Sequence, residues 1–255
     1  MNNIQITKRH YNQYNQLYLS TYGTIIQSYI SENPSEMLAY MAAKMDLKDG
    51  DNILDAGSGF GGPALYFSRL FDIKILGINT DYDQIMVANT LAKKTNNKNV
   101  KFKLHDFHEL YSLSKDNAFD KIYFLESIGH CNNLEALLKE CYKVLTREGT
   151  VCIKTFFEGQ NLKTEQPNQM KELIDFYGYT TFNYNDFKKT AEKCGFYIQE
   201  DNKFPNMNLD YKKVENFERP IRNKGLLKEG IGYGWKNFDM RLVILKRKFE
   251  FGKNI

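Results

Sequence analysis

The segment Asp55-Ala56-Gly57-Ser58-Gly59-Phe60-Gly61-Gly62 places four glycines within six residues, directly after the apolar run Ile53-Leu54. Glycines at such spacing permit a tight turn and let a ligand approach the backbone, and Gly57, Gly59 and Gly62 satisfy the GxGxxG fingerprint of nucleotide-binding folds. Pro63, well placed in a first helical turn, is followed by Ala64-Leu65-Tyr66-Phe67, so the loop reads as the link between a buried strand and a helix. That unit restricts the chain to an α/β architecture.

Apolar runs and helical spacings then alternate as far as residue 156. Further strands are expected at Lys74–Asn79, Val100–Leu104, Phe119–Leu125 and Thr150–Phe156, and helices at Asp81–Lys94 and Leu134–Leu145. Strands joined by crossover helices imply a parallel sheet covered on both faces. A helix capped by Asn185 or Asp186 and closed by Gly195, a short helix around Met170–Tyr177, and strands at Phe196–Gln199 and Met240–Leu245 complete the expectation. The fold class is therefore a doubly wound, seven-stranded, mostly parallel sheet. About 40 residues separate the last two strands, more like a lid than a plain loop. Lys8 to Ala43 reads as helical and carries Tyr11, Tyr14, Tyr18, Tyr22 and Tyr29.

Composition excludes several classes. The 35 basic and 31 acidic residues leave a net charge of +4, too small and interspersed to argue for nucleic acid. No apolar run approaches the roughly 18 residues of a membrane span, and Met1-Asn2-Asn3-Ile4-Gln5 lacks a signal-peptide pattern. The four cysteines have no zinc-ligand spacing, so a reduced, cytoplasmic protein without a metal site is expected. With 17 Tyr and 18 Phe against one Trp, the aromatics could fill a core or line a pocket.

One acid and one amide decide which nucleotide suits the loop. A nicotinamide enzyme wants an acid at the end of the second strand for the ribose hydroxyls; Asn79 stands there. The first strand ends instead in Asp55, where a pyrophosphate would meet a carboxylate but the cationic methionine moiety of S-adenosylmethionine would find a counter-charge. An NAD-binding Rossmann protein is the remote alternative. Acid-x-Gly-x-Gly-x-Gly at Asp55–Gly61 resembles the first motif of class I S-adenosylmethionine-dependent methyltransferases. The words Gly61-Gly62-Pro63-Ala64 and Gly77-Ile78-Asn79-Thr80-Asp81-Tyr82-Asp83-Gln84 resemble the sterol and prenyl diphosphate C-methyltransferases and related small-molecule enzymes.

The resemblance implies S-adenosylmethionine as cofactor and S-adenosylhomocysteine as product. It places Asp55, Gly57, Ser58, Gly59, Gly61 and Leu125 around the cofactor, Asn79, Thr80 and Gln84 toward its ribose or methionine part, and Asp106 and Phe107 at adenine. The domain organisation expected from the patterning is a helical N-terminal lid over residues 1–45 and a methyltransferase domain over 46–255, with lid insertions near 158–182 and 200–238. Glu126, entering an apolar strand end, would be costly to bury without a task; in the resembling C-methyltransferases a glutamate in a similar word stabilises a cation or removes its proton. His130 suits the alternative, O- or N-methylation of a small metabolite with a histidine base. Tyr18, Tyr22, Phe156 and Trp235 are candidates for the acceptor pocket, with Tyr22 an alternative to His130 in assisting O- or N-methylation. The partner is a small, hydrophobic or natural-product acceptor. Arg219, Arg222, Lys224 and Lys228 read as a solvated charge run or as diphosphate ligands, and Mg2+ is expected only with a diphosphate acceptor.

Overall fold

The computed structural model describes residues 3–113, 118–159, 175–205, 210–227 and 238–248. The elements in chain order are α1 (Asn3–Tyr22), α2 (Pro34–Lys44), β1 (Asn52–Ala56), α3 (Gly62–Leu70), β2 (Lys74–Asn79), α4 (Tyr82–Lys94), β3 (Val100–Leu104), β4 (Phe119–Leu125), α5 (Leu134–Val144), β5 (Leu145–Glu158), α6 (Tyr184–Lys193), β6 (Phe196–Lys203), α7 (Tyr211–Arg222) and β7 (Phe238–Arg247). The strands form one sheet in the order β3-β2-β1-β4-β5-β7-β6. The pairs β1–β2, β1–β4, β2–β3 and β4–β5 are parallel, while β7 runs antiparallel between β5 and β6. This is the expected seven-stranded, mostly parallel sheet, with its order reversing between β1 and β4.

Alternation along the strands divides the core. Ile53, Ile75, Tyr123 and Cys152 face α2, α3 and α4 through Met37, Leu38, Met41, Ala64, Phe67 and Ala88. Leu54, Ile78, Ile122, Phe124 and Val151 face α5 and α6 through Leu137, Leu138, Cys141, Phe187 and Ala191. Two-sided burial is why these strands read as continuous apolar runs. A third cluster joins Tyr14 and Tyr18 of α1 to Phe217 and Ile221 of α7 over Phe60 of the glycine loop.

Several boundaries differ from the sequence reading. The N-terminal helical stretch is broken by a 3-10 turn at Ile26–Tyr29, because Gly23, at φ 68°, ends α1. The cap of α6 is Asn183, whose side chain accepts from the backbone of Asn185 and Asp186, so neither of those is the cap. β5 begins at Leu145, where it pairs with Phe119 of β4, and β6 continues to Lys203 by pairing with β7; both extensions come from partner strands rather than from local propensity. Of the expected Met170–Tyr177 helix, only 175–177 are among the described residues, and they are helical.

Candidate active site

The carboxyl ends of β1, β2 and β4 open into a single cavity roofed by α1 and α7. Its lining includes Asp55, Gly57, Ser58, Gly59, Asn79, Thr80, Gln84, Asp106, Phe107 and Leu125 from the expected cofactor set. It also includes Glu126, His130, Tyr18, Tyr22 and Phe156. Gly61 does not line it; that residue caps α3 at φ 82°, and a Cβ there would stand 2.5 Å from the Phe102 ring. Trp235 lies outside the described residues.

The glycine loop owes its shape to its neighbours. Gly57 sits at φ 91°, and a Cβ on it would fall 2.3 Å from Cβ of Ser127, whose hydroxyl donates to the Ala56 carbonyl. Only glycine meets both constraints. Beside it, Asp55 is wholly buried, and burial pushes its carboxyl up to about 7. The Tyr123 phenol stands near enough to oppose that rise in part, although the pair does not meet hydrogen-bond geometry. Asp55 Oδ2, Ser58 Oγ and Tyr123 OH are buried polar atoms with no partner among the described residues. Of these, Asp55 and Ser58 line the cavity, and orphaned groups in such a place are fitted to a polar ligand.

An amide chain ties α1 to the end of β2. Asn79 donates to Gln84 Oε1 at 2.6 Å, Gln84 donates to Asn15 Oδ1 at 2.7 Å, and Asn15 donates to both Asp81 oxygens at 3.0 and 2.9 Å. Asp81 also caps α4 through the Gln84 backbone N–H. Gln84 thus orients the Asn79 amide and links it to the helical roof. At the far side, Asp106 Oδ1 accepts from the His108 backbone at 2.9 Å and its ring Nδ1 at 2.6 Å. Burial alone would raise the Asp106 carboxyl, but these bonds, with the nearby charges of His108 and Lys8, hold it below its usual value. The capping role that Asp106 could have had on sequence grounds coexists with its place in the cavity.

Glu126 leaves β4 in the left-handed region, at φ 61°, a conformation that costs a non-glycine residue energy and that clusters at active sites and turns. The turn carries its carboxylate into the cavity, where Tyr29 donates to Oε2 at 2.6 Å and the fully buried Lys154 is ion-paired to Oε1. Burial lowers the Lys154 ammonium despite the attraction of Glu126. Lys154 was not singled out by sequence reasoning. The available signal was a lone lysine in the apolar run of β5, opposite Leu125 in the register and therefore beside the glutamate.

His130 is fixed by its contacts. Its Nδ1 meets the Gly178 carbonyl at 3.0 Å and Thr7 Oγ1 at 3.1 Å, leaving Nε2 toward the Tyr11 hydroxyl at 3.4 Å. Since the carbonyl requires a donor, the ring carries its proton on Nδ1 and presents a lone pair at Nε2. Burial drops its pKa to about 4. Gly129, next to it, leaves room for the Tyr179 ring, which would stand 2.3 Å from any Cβ there.

Aromatic rings wall the cavity beneath α1 and α7. Tyr18 packs on Phe217 at 4.3 Å between centroids, Tyr22 on Phe217 at 5.4 Å, and Tyr179 on His130 at 5.2 Å. Glu218 of α7, 2% exposed, also lines it, accepting from Tyr177 at 3.4 Å and paired with Arg222 at 3.1 Å. The pairing was not visible in the local sequence pattern of α7, because Glu218 looks there like one charge among several.

A family model described as a methyltransferase domain matches residues 47–220. The sterol 24-C-methyltransferase of Saccharomyces cerevisiae is 32% identical over 165 residues, 62% of this chain and 42% of that protein, so the chain spans less than half of that relative's length. The phosphoethanolamine N-methyltransferase of Plasmodium falciparum is 26% identical over 188 residues, covering 72% of this chain and 68% of that protein. Among solved structures, the [4+2]-cyclase SpnF superposes with a TM-score of 0.78 at 18% identity, covering 97% of each chain, a likeness of fold. The family match takes in the strand–glycine loop–helix unit and most of the sheet, and the chain belongs to the methyltransferase domain family.

Proposed function

We propose that this chain is an S-adenosylmethionine-dependent methyltransferase that methylates carbon in a small hydrophobic acceptor, of alkene type. The observation that carries this reading is the Glu126 carboxylate, held by Lys154 and Tyr29 in a cavity shared by the glycine loop and a wall of aromatic rings. Resemblance to sterol 24-C-methyltransferase supports the choice of carbon.

The residues present fit the cofactor. The orphaned Ser58 Oγ and Asp55 Oδ2 would hold its methionine part, Asn79 and Thr80 its ribose, and Asp106 its adenine amine. When bound, S-adenosylmethionine supplies an electrophilic sulfonium methyl. The protein aligns the acceptor for in-line attack and excludes water. The alkene electron pair forms the new carbon–carbon bond as the carbon–sulfur bond breaks. The cation left on the acceptor is stabilised by the Tyr and Phe faces and gives a proton to Glu126, restoring a double bond. We further infer that α1 and α7 serve as the lid. Among the described residues no helix is long and apolar enough to cross a membrane. The four buried, unpaired cysteines are in keeping with a reducing, cytoplasmic setting.

A second reading, O- or N-methylation, rests on the Tyr11–His130 contact, which would let Nε2 take a proton from an acceptor displacing the tyrosine. Calorimetry tests the shared claim: S-adenosylhomocysteine should bind and NADH should not. Turnover of Glu126→Gln and His130→Ala separates the two readings; loss of activity in the histidine variant alone would end the C-methylation reading.

A further inference from the structure

Asp106 follows β3 on the wall of the cavity, and its two carboxylate oxygens are used unequally. Oδ1 accepts twice from His108, from the backbone N–H at 2.9 Å and from ring Nδ1 at 2.6 Å. Oδ2 accepts from no group among the described residues. Lys8, exposed on α1, lends its charge to Asp106 without forming an ion pair with it among the described residues.

The His108 ring is held at both nitrogens and on one face. Nε2 accepts the Asn132 backbone N–H at 3.2 Å, so the ring proton sits on Nδ1 and points at Asp106. Phe107 packs against the imidazole at 4.7 Å between centroids and is itself backed by Phe124 at 5.8 Å. Asn132 precedes the cap of α5, where Asn133 accepts from the Ala136 N–H. The imidazole therefore spans two loops at the carboxyl edge of the sheet, one after β3 and one after β4. It cannot swing without giving up a bond at each end.

A free carboxylate on a loop turns about its last bond and offers either oxygen. Two donors on Oδ1, one of them a charge-assisted ring N–H, stop that rotation and leave Oδ2 as the acceptor available to the cavity. We propose that His108 is a positioning residue for the cofactor: by locking Asp106, it makes the site select adenine over hypoxanthine. Adenine carries an amino group at position 6 and donates to Oδ2. Hypoxanthine carries a carbonyl there, whose lone pairs would face those of the carboxylate. A carboxylate free to turn relieves that clash, whereas a locked one keeps it, and rejection of this kind works through the unpaired polar group that the wrong ligand leaves behind.

The role of His108 rests on the cavity holding S-adenosylmethionine, and calorimetry on the full chain keeps the two claims apart. Failure of the wild-type protein to bind S-adenosylhomocysteine would remove both. S-Inosylhomocysteine, the analogue with a carbonyl at position 6 of the purine, is titrated next. Wild-type protein should prefer the adenosyl ligand by about a hundredfold. His108→Ala should cut that preference about tenfold. His108→Asn, whose amide N–H takes the place of Nδ1, should restore most of it. His108→Gln, whose amide reaches only the place of Nε2, should not. Both ligands are read on the same preparation, so any loss of folded protein cancels in the ratio. Wild-type protein that binds the two ligands alike overturns the proposal and leaves the methyltransferase reading standing. His108→Ala protein with an unchanged ratio also overturns it, as does an asparagine variant no better than the glutamine one, since either result would reduce His108 to a packing residue.

Discussion

Lys154 on β5 and Glu126 at the end of β4 form a buried ion pair, with the lysine 0% exposed and the glutamate at φ 61°. Parallel pairing aligns Leu125 with Lys154, so the residue that follows Leu125 turns directly over the ammonium, and the Glu126 N–H donates to the Lys154 carbonyl at 2.8 Å. A buried pair loses most when one partner is removed, because the remaining charge stays desolvated.

Lys154→Met and Glu126→Leu should therefore each destabilise the protein by about 3–5 kcal/mol, while the double substitution should cost distinctly less than their sum. Urea unfolding of the four proteins checks this. Additive costs would mean that the two groups act independently.

Asp55→Asn should trade binding for stability. Burial raises the Asp55 carboxyl from 3.8 to about 7, so between those values the folded chain keeps a proton that the unfolded chain has released. Wild-type stability consequently falls as pH rises through that window. The asparagine variant lacks this effect, and its advantage should grow from about pH 4 to pH 7 and then level off, reaching on the order of a few kcal/mol. Its affinity for S-adenosylhomocysteine should drop. Unfolding curves at pH 4.5, 6 and 8 with parallel calorimetry provide the measurement; a pH-independent difference would refute the account.

Acid should act on two histidines. His10, packed among Tyr14, Phe176 and Tyr177, is lowered by burial to about 3, and His130 to about 4, both from 6.5. Below 6.5 the unfolded chain gains protons that the folded chain resists, so stability present above that value is lost as pH falls toward 4. Replacing either residue with Gln should flatten the loss between pH 6.5 and 4.5. An unchanged slope in both variants would place the acid sensitivity elsewhere.

Asn15→Ala should weaken cofactor binding without touching the cofactor. Asn15 holds Gln84, which holds Asn79, and it caps the buried Asp81 carboxylate. Affinity for S-adenosylhomocysteine should fall about tenfold. Unaltered affinity would show that β2 and α4 keep this loop in place unaided.

The sheet and the glycine-loop side of the cavity were legible in the sequence because their determinants are local. A strand, a glycine turn and a helix follow one another within Asn52–Leu70, and Asp55, Asn79 and Asp106 each follow or end a strand at a position that can be read from its pattern. Glu126 was legible for the same reason. Its partner was not, since Lys154 is 28 residues away and meets it only through strand register. The roof was illegible for a stronger reason. Tyr11, Tyr18 and Tyr22 on α1 and Glu218 on α7 acquire their meaning when two helices from opposite ends of the chain pack over the glycine loop. Local pattern, set by backbone geometry and burial period, determined which fold forms and at which strand ends the cavity opens. Which buried charges meet, Lys154 with Glu126 and Arg222 with Glu218, was decided only in the tertiary structure, because charge compensation depends on distance in space.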